Sequence, residues 1–163
     1  MSTFEREGYQ WRETYFVLFD EARRPTLRQV ERMLRKLNAR FELTDPAADS
    51  DGRFESLTVV APDDYAALDI AFMSGDEVLE QGAQLHKELK AFPLDKDELS
   101  KLARLPKLGA KLDLLHFERM AEGFGDEDEP DDMLDPSALL IVMDALVEMT
   151  QGVGVDPQSG TLV

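Results

Sequence analysis

Apolar positions change their spacing several times along this chain, and each change predicts an element. Residues 14–19, Thr-Tyr-Phe-Val-Leu-Phe, are β-formers in near-continuous apolar sequence, bounded by Asp20. That pattern predicts a strand buried on both faces and so central in a sheet. From Thr26 to Asn38 the spacing becomes helical, with Leu27, Val30, Leu34 and Leu37 on one face. Pro25 precedes this helix, Thr26 and Gln29 stand at capping-box spacing, and Asn38 supplies a stop. Residues 40–44 and 54–60 then alternate as strands, separated by the turn residues Asp45-Pro46 and Ser50-Asp51-Gly52. Residues 66–73 return as a further strand paired with the second of these, ending at Ser74-Gly75.

Residues 76–91 predict a second helix with Val78, Leu79, Leu85 and Leu89 as core positions. Gly82 in its middle weakens it by about 1 kcal/mol relative to alanine. Residues 95–105 predict a shorter helix with Leu99, Leu102 and Leu105 turned inward, ended by Pro106. Residues 111–120 suit a strand. Asp135-Pro136-Ser137 opens a last helix with a capping side chain and proline at its first position. That helix runs to Thr150, is apolar nearly all round, and belongs in the core or under a partner. Residues 152–163 predict two very short strands about a proline-containing turn, packed to the last residue.

The expected order is β-α-β-β-β-α-α-β-α-β. This is an α+β fold: one mixed, largely antiparallel sheet with helices mainly on one face, its N-terminal half compatible with a ferredoxin-like arrangement. The 163 residues fit a single compact domain (1–163), with a partly ordered leader at 1–12 and an acidic loop at 122–135. A division near 75–95 into two subdomains is the alternative.

Charge changes this picture more than composition does. The apolar fraction of 43% is ordinary, but the formal charge is −16. Such a chain repels nucleic acid and anionic lipid, whose binding needs clustered Lys and Arg, and favours a basic partner. The longest apolar run, 138–143, is far below the roughly 20 residues of a membrane span. With no signal-peptide layout at the start, the expected compartment is the cytoplasm. The absence of cysteine removes disulfides, thiolate nucleophiles and cysteine-ligated metals.

The charge is also uneven. Residues 122–135 hold eight carboxylates and no basic residue, whereas residues 21–40 hold seven basic and two acidic side chains. Two interaction candidates follow. One is the acidic run Asp126, Glu127, Asp128, Glu129, Asp131 and Asp132, with Phe124 between two glycines as an anchor. The other is a basic stripe of Arg28, Arg32 and Arg35, open to an acidic partner or to the chain's own acidic loop.

Catalytic vocabulary is sparse. Asp49-Ser50-Asp51-Gly52 fails as an EF-hand loop, because Ala47 and Thr58 stand where acidic ligands belong, and reads as a hairpin turn. Gly152-Val153-Gly154 follows a helix instead of opening one and lacks the lysine of a phosphate loop. The two histidines, His86 and His116, have only generic carboxylates nearby, Asp113 and Glu118 in the case of His116. No cofactor or metal site is expected. The reading that results is a non-catalytic binding protein of the immunity or inhibitor type, whose carboxylates face a basic protein. The alternatives are a small carboxylate–histidine enzyme, with or without metal assistance, and a self-associating structural subunit with the last helix as its interface.

Overall fold

The computed structural model describes residues 9–62, 66–119 and 137–163. Their elements run β1 (Tyr9–Phe19), α1 (Leu27–Leu37), β2 (Glu42–Ala48), β3 (Phe54–Ala61), β4 (Ala66–Ser74), α2 (Asp76–Leu89), α3 (Lys96–Arg104), β5 (Ala110–Arg119), α4 (Ser137–Thr150), β6 (Val153–Asp156) and β7 (Thr161–Leu162). The α+β class expected from the sequence is present, while the sheet expected to be mixed and largely antiparallel is antiparallel throughout the described residues. All seven strands join one sheet in the order β2-β3-β4-β5-β1-β6-β7, and every pairing is antiparallel. A ferredoxin-like half would set β1 parallel to β3. Here β1 lies between β5 and β6, so that arrangement is not formed.

β1 begins at Tyr9 and so takes in the last four residues of the expected leader. Its continuous apolar run does what two-sided burial requires. Val17 and Phe19 enter one core with α1 and α4, while Phe16 and Leu18 enter another with α2, α3 and β6. Helices therefore cover both faces, not mainly one. The physical reason lies in the second face itself: Phe16, Leu18, Val153 and Val155 need cover, and Val78, Leu89, Leu102 and Leu105 supply it.

The first core is the larger. It gathers Val30 and Leu34 of α1, Leu57 and Val59 of β3, Leu68 and Ile70 of β4, Leu112 and Leu114 of β5, and Leu139, Val142, Met143 and Leu146 of α4. Each fully buried leucine of this kind contributes about 1.5–3 kcal/mol relative to exposure.

Three apolar residues expected inside lie partly outside: Leu37 at 38%, Leu79 at 37% and Leu99 at 49% exposure. Leu37 is the last helical residue of α1, followed by the extended cap residue Asn38. Leu99 sits at the margin of the inward stripe of α3, which is centred on Glu98, Lys101 and buried Leu102.

Two glycines are required by close packing. A Cβ on Gly82 would run into the carbonyl of Leu105, so α2 can lie against the 3-10 turn Leu105–Lys107 only because that position is bare. Gly154 of β6 likewise faces Met143 and Val147 of α4 at distances that leave no room for a side chain. The exposed edge strand β2 is broken by two register shifts, by Pro46 and by Asp45 at φ 52°, features that discourage pairing with another sheet.

Candidate functional site

The site with the most definite construction is the outer surface of α1 and α4. Its placement starts at the N-terminus of α1. Thr26 Oγ1 accepts from the Gln29 backbone N–H at 3.1 Å, and Gln29 Oε1 accepts from the Thr26 N–H at 2.8 Å, completing the expected capping box. The backbone then ties this end to the β2–β3 turn, with Leu27 N donating to Gly52 O and Phe54 N to Pro25 O. Arg24 closes the corner. Its guanidinium donates twice to Phe54 O, at 3.0 and 2.8 Å, lies 3.8 Å above the Phe72 ring, and sits 3.5 Å from Asp49.

Asp49 organises the turn opposite, accepting from the N–H groups of Asp51 and Arg53 and pairing with the Arg53 side chain at 3.1 Å. These contacts, the Arg53 backbone N–H first, hold its carboxyl below the usual carboxylate range. The four-residue stretch that resembled a calcium loop is thus a turn whose acidic oxygens are committed to the protein's own donors.

Anchored in this way, α1 turns Val30 and Leu34 into the core and leaves Arg28, Arg32, Arg35 and Lys36 exposed. Among the described residues, Arg28, Arg32 and Arg35 form no ion pair. Arg28, Glu31, Arg32, Arg35 and Lys36 border one shallow concavity. A second, of about 510 Å³, runs between α1 and α4. Its floor is apolar: Met33 and Leu37 from α1, Ala145 and Met149 from α4. Arg32 and Lys36 stand on the α1 rim and Glu148 on the α4 rim.

Sequence reasoning found the arginines but not this groove. The missing signal was the partner helix: α4 is nearly all apolar, yet Leu140, Ile141, Asp144 and Glu148 form its outward side. The acidic candidates, Phe124, Asp126, Glu127, Asp128, Glu129, Asp131 and Asp132, lie outside the described residues, so the structure does not place them against the arginines.

The histidines separate. His86 is half-buried near the C-terminal end of α2. His116 is 1% exposed on β5, facing Glu13 across the β1–β5 pairing. Its Nδ1 lies 3.6 Å from Glu13 Oε1, too long for a hydrogen bond, and neither ring nitrogen has a partner. Burial pushes the imidazole below its ordinary value. The Glu13 carboxylate opposes that shift and Arg12 adds to it.

Of the two carboxylates expected near His116, Glu118 shares its face and pairs with Arg12 at 3.4 Å. Asp113 points to the other face and pairs with Lys111 at 3.2 Å. Strand alternation separates them, since residues two apart share a face and residues three apart do not. Glu13 was invisible without the pairing register. Among the described residues no group of three or more His, Asp or Glu side chains is arranged to hold a metal, and no helix is long and apolar enough to cross a membrane.

No family model, no curated protein and no solved structure matches this chain.

Proposed function

We propose that the chain is a non-catalytic binding protein of the cytoplasm, acting on a basic protein in the manner of an immunity or inhibitor protein. The observation that carries the reading is how the charge is divided. Residues 122–135 alone account for half of the net −16. The described residues hold 22 carboxylates against 17 Lys and Arg, close to balance. A protein acidic only for solubility has no reason to concentrate its charge in one connection between β5 and α4. Concentrated carboxylates raise the local potential and steer a basic partner toward one place.

The catalytic alternative asks for a histidine and two carboxylates around a concavity. Among the described residues the α1–α4 groove is lined by neither histidine, and His116 is closed off inside the sheet layer.

The test is an affinity capture with the tagged chain at about 50 and 300 mM salt, where screening lengths differ by more than twofold. It is run beside a variant carrying Asn or Gln at Asp126, Glu127, Asp128, Glu129, Asp131 and Asp132. One basic protein held at low salt, released at high salt and absent from the neutralised variant supports the reading. A capture that is empty, or indifferent to both changes, overturns it.

A further inference from the structure

We infer that the outer face of α1 and α4 is a self-complementary docking surface for a second copy of this chain. Three observations lead there. Exposed apolar side chains sit on this layer, with Leu37 at 38%, Leu140 at 41% and Ile141 at 48% exposure, beside the groove floor of Met33, Ala145 and Met149. Cations lie along α1, at Arg28, Arg32, Arg35 and Lys36, without ion pairs for the three arginines among the described residues. Anions lie along the neighbouring α4, at exposed Asp144 and Glu148.

An acidic segment of a foreign protein would satisfy the α1 rim but would be repelled by Asp144 and Glu148 across the groove. A second copy satisfies both rims at once. With a twofold axis lying in the contact plane between the two helices, α1 of one copy covers α4 of the other, and the reverse pairing follows by symmetry. Each arginine stripe then meets the opposite copy's Asp144 and Glu148, and the apolar strips close over one another.

The net charge of −16 does not forbid this. At physiological ionic strength the screening length is about 8 Å, so distant like charges are damped while rim pairs in contact are not.

The test is the mass of the full chain in solution by sedimentation at about 0.15 M salt. The expected mass is twice 18.4 kDa. Arg32→Glu alone and Glu148→Arg alone place like charges opposite each other, and each weakens association at least about tenfold. An equimolar mixture of the two single variants regains the mass of two copies. Only pairing between chains can do that, because a mixed pair keeps one native rim and has the other reversed on both sides. Both positions are exposed, and an unchanged melting curve verifies that each variant folds.

Ile141→Ser weakens association as well, whereas Leu99→Ser, equally exposed but on α3, leaves the mass unchanged. A native chain of single-copy mass overturns the inference, including one whose groove binds an acidic helical peptide. So does a two-copy mass indifferent to Arg32→Glu, Glu148→Arg and Ile141→Ser, or a mixture that stays at single-copy mass.

Discussion

The two helical layers do the same job toward the sheet and opposite things toward the outside. Inside, α1 and α4 seal one face with Val30, Leu34, Leu139, Val142 and Leu146, and α2, α3 and the turn after α3 seal the other with Val78, Leu89, Leu102 and Leu105. Outside, α2 and α3 each mix both signs of charge, with local contacts of Lys101 with Asp97 at 2.8 Å and Gln84 with Glu88 at 2.9 Å, and one longer reach, from the Arg104 guanidinium to the Gln151 carbonyl. On the first layer the signs are largely sorted, cations to α1, where Glu31 is the one carboxylate, and anions to α4, with apolar side chains between. Among the described residues the three arginines of α1 form no ion pair, whereas Lys101 of the second layer does. On the inference drawn above, a second copy closes over the first layer and water over the second.

If the layers are equal as covers, they should fail equally when hollowed. Leu34 and Leu105 are each fully buried, one under each face. Leu34→Ala and Leu105→Ala are each expected to cost about 2–5 kcal/mol, read from denaturant midpoints at constant slope. A loss confined to Leu34→Ala would mean that the second layer is an appendage and the comparison false.

A finer probe is Gly82. Elsewhere in a helix, alanine for glycine stabilises by about 1 kcal/mol. Here the added carbon meets a backbone carbonyl that has no rotamer to yield, so Gly82→Ala is expected to destabilise by about 1–3 kcal/mol. A stabilising result would show that α2 does not rest on the Leu105 turn.

Gly82 also marks how far the sequence could be read. As local chemistry it was a defect in a helix; its reason lies 23 residues away, in a contact that no periodicity announces. What depends on neighbours in the chain was legible. The Thr26–Gln29 box, the two-sided burial of β1, the β3–β4 hairpin and the short paired strands at the end all formed as expected. What depends on pairing across the sheet was not. The parallel β1–β3 contact of a ferredoxin-like half is replaced by β5 and β6 flanking β1, and the one-faced helix layer becomes two. The candidate site divides along the same line. Arg28, Arg32 and Arg35 follow from helical spacing alone, whereas the groove needs α4, and the Glu13–His116 approach needs the β1–β5 register.

That approach gives the comparison a dependence on pH. His116 lies on the face covered by α1 and α4, buried and with its nitrogens unpartnered. Its folded-state value is held below the ordinary 6.5, chiefly by burial. As pH falls through 6.5 the unfolded chain takes up a proton that the folded chain still refuses, so the unfolded state gains. The stability tied to this residue is complete above 6.5 and is lost as pH drops toward the lower folded value. His116→Leu should flatten that slope, and thermal unfolding of both chains between pH 5 and 8 measures it. An unchanged slope would place the titrating group elsewhere.

The smallest expected effect is the most pointed. Arg28 and Arg35 lie on the exposed side of α1 with no ion pair among the described residues, so the folded chain gains little from their charge. Arg28→Gln with Arg35→Gln should leave the unfolding free energy within about 0.5 kcal/mol of the native value. The matched change on the other layer, Lys101→Gln, removes the pair with Asp97 and should cost up to about 0.5 kcal/mol, as i,i+4 pairs on helices do. Both numbers come from urea titration at low protein concentration, where association does not contribute. If the arginine pair proves the costlier, those side chains serve the fold after all, and the sorting of charge on the first layer loses its meaning as a surface made for something else.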